Sequence, residues 1–259
     1  MRFVPKELKA TADISRGRST PATFVKNSLS VAMVLVILYI ALGWIAGLVA
    51  SYIPESYETR WFSFIVSYDV SPRPISPDFR RGQRLFDRLR RQQGLRPLPY
   101  ELKLLAASKP NAFAMAGGSV WVSTGLLKNV SNDMGLAMVL AHELGHHQLR
   151  HCLKRLGRGL LYLSAQVFLF GTPDPSVINV ALHTGESNYS RRQERAADEF
   201  GLKLVHEAFG HTRGALEFFE MIQREHESGS SRWTDFLTSH PRTGARIEYL
   251  RELQRSLHE

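Results

Sequence analysis

The 259-residue sequence predicts an α+β fold: a mainly helical domain with a small antiparallel sheet, preceded by one transmembrane helix. Three observations carry this. An uncharged apolar run near the N-terminus is too long for a core helix, three short strand-like runs gather around a Gly-Gly pair, and most of the remainder has helical periodicity. Hydrophobic residues make up 44% of the chain and charged residues 22%, close to the globular average, so a folded core is expected rather than disorder.

Ser28 to Ile53 is a run of 26 residues without a charge, against the roughly 20 needed to cross a bilayer as a helix. It is too long, and too far from the N-terminus, for a cleaved signal peptide, so an uncleaved anchor is expected. Arg2, Lys6, Lys9, Arg16, Arg18 and Lys26 precede it against Glu7 and Asp13, whereas Arg60 and Arg73 are the only bases in the next 20 residues. The positive-inside rule then keeps the N-terminus in the cytoplasm and places the bulk of the chain across the membrane.

Pro54 to Arg73 reads as a connector. Ser76-Pro77-Asp78 offers a cap, a first-turn proline and an early acid for a helix running to about Gln93, with arginines at 80, 81, 84, 88, 90 and 91 around a Leu85, Phe86 and Leu89 stripe. Tyr100 to Ala107, Ala112 to Met115 and Ser119 to Ser123 read as strands, the last two joined across Gly117-Gly118. Ser119 to Ser123, alternating with Val120 and Val122, is expected to offer an edge on which a peptide adds as a strand. Asn132-Asp133 starts a helix expected to continue through Leu149 and beyond. Leu160 to Phe170 is apolar but too short to span; it reads as a core helix, or as one dipping into the membrane surface, ahead of the breakers in Gly171 to Pro175. Further helices are expected at about 190 to 208, 213 to 227 and 242 to 257. The domain organisation is a basic segment over 1–27, the span over 28–53, a connector and helix over 54–99, and over 100–259 the domain that carries the chemistry.

A formal charge of +9 suggests an anionic partner, but Lys and Arg are spread along the chain with no nucleic-acid module, so no nucleic acid is expected. The single cysteine, Cys152, excludes an internal disulfide framework and a zinc site built on cysteine pairs.

His142-Glu143-Leu144-Gly145-His146 lies in the helix that starts at Asn132. Two histidines four apart project from one face and can reach one ion, and Glu143 sits where its carboxylate can take a proton from an attacking water. A third ligand is needed. Ten residues after the first histidine stands Cys152, not a third histidine, so the three-histidine arrangement is rejected. Glu194, in Gln193 to Asp198, completes a three-ligand set, and Asp198 one turn on can accept the spare ring N–H of a ligand histidine. His147 and His151, one and five residues past His146, point elsewhere on a continuous helix and read as structural. His183, His206, His211, His226 and His258 have no partner pattern.

From about Tyr100 to Leu250 the chain resembles the HtpX-like and CaaX-prenyl-protease-like gluzincins. The resemblance rests on Asn111-Ala-Phe-Ala114 with Gly117-Gly118, on Ser123-Thr-Gly-Leu-Leu127, on the HELGH helix, on Tyr189-Ser190-Arg191 leading to Glu194 and Asp198, and on His240-Pro241 with Arg246. It implies a zincin-like fold, one zinc ion per chain on His142, His146 and Glu194, Glu143 as base, and Asn111 and His240 near the substrate or transition state. His240 is left with two roles, hydrogen-bonding an oxyanion or occupying the open metal position. The resemblance also implies zinc-dependent endopeptidase activity on membrane or envelope proteins in protein quality control, with protein or peptide substrates. The bacterial inner membrane is the expected location, with the catalytic domain periplasmic, and the mitochondrial inner membrane is the other candidate. The competing class is a non-catalytic, membrane-tethered zinc scaffold or chaperone.

Overall fold

The structure is a computed structural model and describes residues 20–67, 76–171, 189–229, 232–240 and 244–257. Of the bases before the span, only Lys26 lies among them. The chain divides after Leu42 into two units: the first carries the N-terminal part of helix α1 (Pro21–Tyr52), and the second, from Gly43, carries everything else described below. Helix α1 is long and apolar enough to cross a membrane, and Ala50 is its one buried residue. Ala50 belongs to the second unit, where it packs with Ala114, Ala116, Cys152 and Leu153.

The connector expected after the span is instead helix α2 (Glu55–Ser67). Glu55 and Glu58 lie in its first turn, where an acid suits the helix dipole, and both are tied to distant residues. Arg96 reaches Glu58 at 2.6 Å and Glu55 at 3.2 Å, Arg150 reaches Glu55 at 2.7 Å, and the Gly117 N–H donates to Glu58 at 3.3 Å. None of these partners is near in sequence, so local pattern does not reveal the helix.

Helix α3 (Pro77–Leu89) starts as expected: Ser76 Oγ accepts from the Phe79 N–H at 3.1 Å, and Pro77 occupies the first turn. Its buried stripe is Phe79, Leu85, Phe86 and Leu89. Two of its arginines do more than face solvent, since Arg81 donates to the Val130 carbonyl and Arg88 to that of Ala208.

Strands β1 (Glu101–Leu105), β2 (Ala112–Met115) and β3 (Ser119–Ser123) form a sheet of order β1-β3-β2. The β2–β3 hairpin is antiparallel as expected, with Ala114 opposite Val120, and turns through Gly117 and Gly118 at φ of 95° and 105°. The sheet is mixed rather than antiparallel, because β1 pairs parallel to β3, Leu102 opposite Val120. This corrects the docking-edge expectation: β3 is the central strand with both sides paired, so it offers no edge.

Helix α4 (Thr124–Asn129) is a short connection capped by Ser123. Helix α5 (Asp133–Gln148), capped by Asn132, runs through the core with every residue from Gly135 to His147 buried. It ends at Gln148, where continuation through Leu149 and beyond was expected. Leu149 caps it, Arg150 adopts the left-handed conformation at φ 57°, and helix α6 (His151–Phe170) begins. Along α6, Gly157 lies against Ala46, while Val167 is 42% and Phe168 88% exposed, which departs from the core-helix reading of this stretch. Most of Gly171 to Pro175 lies outside the described residues, as do His183 and His258. Helices α7 (Arg191–Phe209), α8 (Glu217–Glu227), α9 (Thr234–Ser239) and α10 (Gly244–Ser256) complete the described elements. The larger apolar cluster gathers Phe86, Leu89, Leu136, Leu140, Leu202, Phe219, Trp233 and Phe236 around α5.

Candidate metal centre

Four side chains from three parts of the chain converge beneath the sheet-proximal end of α5. His142 and His146 lie one turn apart with their Nε2 atoms 3.0 Å from each other. Glu194 comes from the first turn of α7, whose start is fixed by a capping box between Ser190 and Gln193. The two helices approach closely because each presents a glycine at the crossing: a Cβ on Gly145 would meet the Ala197 carbonyl oxygen at 2.9 Å, and one on Gly201 the His142 nitrogen at 3.0 Å. That contact brings Glu194 Oε1 to 3.4 Å from His146 Nε2 and Oε2 to 3.6 Å from His142 Nε2.

His240 is the fourth. It caps the end of α9 at φ −126° and ψ 76°, its N–H bonded to the Phe236 carbonyl, and this non-helical geometry turns the ring inward. Pro241 and Arg242 lie outside the described residues. His240 Nδ1 sits 3.2 Å from both His142 Nε2 and Glu194 Oε1. One donor atom from each of His142, His146, Glu194 and His240 lies within 4.8 Å of all the others, and all four residues are buried. The sequence pattern supplied three of these donors and left His240 between two roles.

Glu143 is fully buried, neither carboxylate oxygen has a hydrogen-bond partner among the described residues, and His240 Nε2 is 3.4 Å from its Oε1. Asp198 stands where expected, 2.9 Å from His142 Nδ1. Its other oxygen is held by Arg246 at 2.6 to 2.7 Å, and the same guanidinium reaches Glu194 at 3.0 Å. Arg246 therefore pairs with both acids, a role no local spacing announces. Asn111 precedes β2: its N–H donates to Ser123 Oγ at 2.8 Å, its carbonyl accepts from the Ser123 N–H at 2.9 Å, and its buried Oδ1 has no hydrogen-bond partner among the described residues.

Charge in the centre follows from burial and neighbours. Burial pushes the Glu194 carboxyl up, but the charge of His240, hydrogen bonds from His146 and His240, and the charge of His142 outweigh it and hold it well below the usual range. Burial holds His146 well below its ordinary value, which keeps the imidazole neutral and able to donate a lone pair. His147 is structural as expected: its Nε2 donates to the Ser119 carbonyl at 3.1 Å, and burial lowers it to about 4. His151 is not remote, because the break at Arg150 returns it to the centre with its Nδ1 3.0 Å from His146 Nδ1. Tyr189 stacks on the His146 ring, centroids 3.8 Å apart and planes at 16°.

Two catalytic-helix histidines, a glutamate from a later helix and a buried carboxylate between the histidines form the arrangement of a metallopeptidase, and residues 77–254 match the model of peptidase family M48. The chain belongs to peptidase family M48. Its relatives include the mitochondrial metalloendopeptidase OMA1 of Saccharomyces cerevisiae, 30% identical over 146 residues that cover 54% of this chain and 42% of that protein. The metalloprotease YcaL of Escherichia coli is 29% identical over 60% of this chain and 62% of its own. A putative beta-barrel assembly-enhancing protease of Vibrio cholerae is 28% identical over 61% and 35%. The chain thus spans about half or less of the OMA1 proteins of the two yeasts it matches. For this M48 chain the donor set and the family both suggest a metal, which His142, His146, Glu194 and His240 could hold.

Proposed function

We propose that the chain is a membrane-anchored zinc endopeptidase that binds one zinc ion per chain and hydrolyses peptide bonds in membrane or envelope proteins, as part of protein quality control. The observation that carries it is Glu143, a buried carboxylate with no hydrogen-bond partner beside a four-donor cluster. A buried carboxylate that accepts no hydrogen bond costs several kcal/mol in a core that only has to fold, so its retention points to chemistry.

The donor set suits zinc. Ligand atoms at zinc's ordinary bond lengths around a tetrahedral ion are roughly 3.3 Å apart. The closest donor atoms of His142, His146 and Glu194 are 3.0 to 3.6 Å apart, and one donor atom from each of the four residues lies within 4.8 Å of the others. Zinc bound there supplies Lewis-acid polarisation of the scissile carbonyl and lowers the pKa of the attacking water. The protein's own part falls to named groups. Glu143 accepts the proton of the attacking water and passes it to the leaving amine. Asp198, its Oδ1 2.9 Å from His142 Nδ1, favours the tautomer with the proton on that nitrogen, and Arg246 holds Asp198 and Glu194 in place. A peptide strand adds to the sheet at β2, whose outer side pairs with no strand among the described residues. Because such docking reads backbone, broad specificity follows.

The relatives' names support proteolysis, and one names a role in β-barrel assembly. For the compartment we favour a bacterial inner membrane, N-terminus in the cytoplasm and catalytic unit on the other side, with the mitochondrial inner membrane as the alternative. The runner-up, a non-catalytic zinc scaffold, has one observation in its favour: His240 raises the donors to four, and closed sets are typical of structural zinc. Glu143→Gln separates the two. The variant should still bind one zinc and lose cleavage of an unfolded protein by about a hundredfold or more. Cleavage near the wild-type rate would overturn the endopeptidase reading.

A further inference from the structure

The two ligand histidines of α5 are held by different kinds of group. His142 has the carboxylate of Asp198, itself paired with Arg246. His146 has no acid behind it. Its Nε2 faces the donor cluster, so in a metal-binding tautomer the ring proton sits on Nδ1 and must be donated outward. The group 3.0 Å from that Nδ1 is His151 Nδ1, which accepts through its lone pair and carries its own proton on Nε2. On an uninterrupted helix a residue five beyond His146 would point well away from it. Arg150 makes the contact possible: it is the one non-glycine residue with positive φ among the described residues, and it ends α5 so that His151 opens the next helix facing back. That left-handed turn is itself held, with Arg150 donating to the Ile53 carbonyl and pairing with Glu55 at 2.7 Å.

The face of the His146 ring is held as well. Tyr189 stacks on it, the guanidinium of Arg155 lies 4.2 Å from the Tyr189 ring centroid, and the tyrosine hydroxyl is 3.6 Å from Cys152 Sγ. Edge and face together leave the imidazole one orientation.

We propose that His151 and Tyr189 are positioning residues for His146: His151 fixes its tautomer through a neutral acceptor, and Tyr189 fixes its plane, so that its Nε2 is aimed at the metal. The inference rests on the zinc reading given above. A neutral acceptor strengthens a ligand imidazole less than a carboxylate does, so His146 is the softer hold and His142 the firmer one.

The test is zinc affinity of the full chain in detergent, by competition with a chelator, together with the electronic spectrum of the cobalt-substituted protein. His151→Ala should weaken zinc binding on the order of 10- to 100-fold and shift the cobalt bands. His151→Asn, whose amide oxygen lies about where Nδ1 does, should restore both to near wild type. Tyr189→Leu keeps the imidazole pair and frees the ring plane, so it should broaden the cobalt bands with a smaller loss of affinity. Wild-type affinity and spectrum in His151→Ala, or an asparagine variant no better than the alanine one, overturns the role of His151. An unchanged spectrum in Tyr189→Leu overturns that of Tyr189. A wild-type protein that binds no zinc overturns the metal reading itself, a separate result.

Discussion

His240 shows how much one ring can decide. Its Nδ1 stands among the donor atoms and its Nε2 lies 3.4 Å from Glu143, so it occupies the metal side and the base side of the same small space. A ring placed to hydrogen-bond an oxyanion would leave that space to the substrate. The geometry therefore favours the blocking role, in which His240 would close the donor set at rest and substrate would displace it. His240→Ala should raise basal cleavage of unfolded casein; a fall of about a hundredfold would return His240 to the oxyanion role. At this scale the sequence is informative where chemistry is local. His142, Glu143 and His146 are legible because helical spacing alone puts them together, and Glu194 with Asp198 because they repeat that spacing. Arg246 and Tyr189 were visible as part of a resemblance but not as partners, since both act across long sequence separations.

Between elements, the centre depends on how closely α5 and α7 pack. Gly145 and Gly201 let the two backbones approach until His142 and Glu194 share one space. Alanine in place of glycine inside a helix ordinarily gains up to about 1 kcal/mol through backbone entropy. At Gly145 the new methyl would meet a backbone oxygen at 2.9 Å, which cannot swing aside. Gly145→Ala should therefore lower both the thermal midpoint and zinc affinity, and a variant more stable than wild type with unchanged affinity would refute the close-packing account. The strands, the capped start of α5 and the three later helices follow from turn residues and periodicity. The end of α5 does not, because Arg150 carries no breaker chemistry of its own and is held left-handed by Glu55 and the Ile53 carbonyl. Helix α2 escapes notice for the same reason, its acids being paired with Arg96 and Arg150 far along the chain.

At the scale of the whole molecule, the proposed orientation of the catalytic unit rests on the charge distribution around α1. Six bases precede the run and two follow closely, so a protease added outside sealed inverted vesicles should spare the catalytic unit. Digestion of that unit while the vesicles stay sealed would reverse the orientation. The junction between helix and unit has a mechanical meaning. A flexible leash of n residues lets its cargo roam roughly 5–6 Å times the square root of n. Here only Ile53 and Pro54 separate α1 from α2, Ala50 is already part of the unit's packing, and Arg96 and Arg150 grip α2 from its first turn. With no slack to pay out, the last turns of α1 from Gly43 on belong to the same packed body as the metal centre, so a flexible insertion after Ile53 would disturb that packing instead of lengthening a leash.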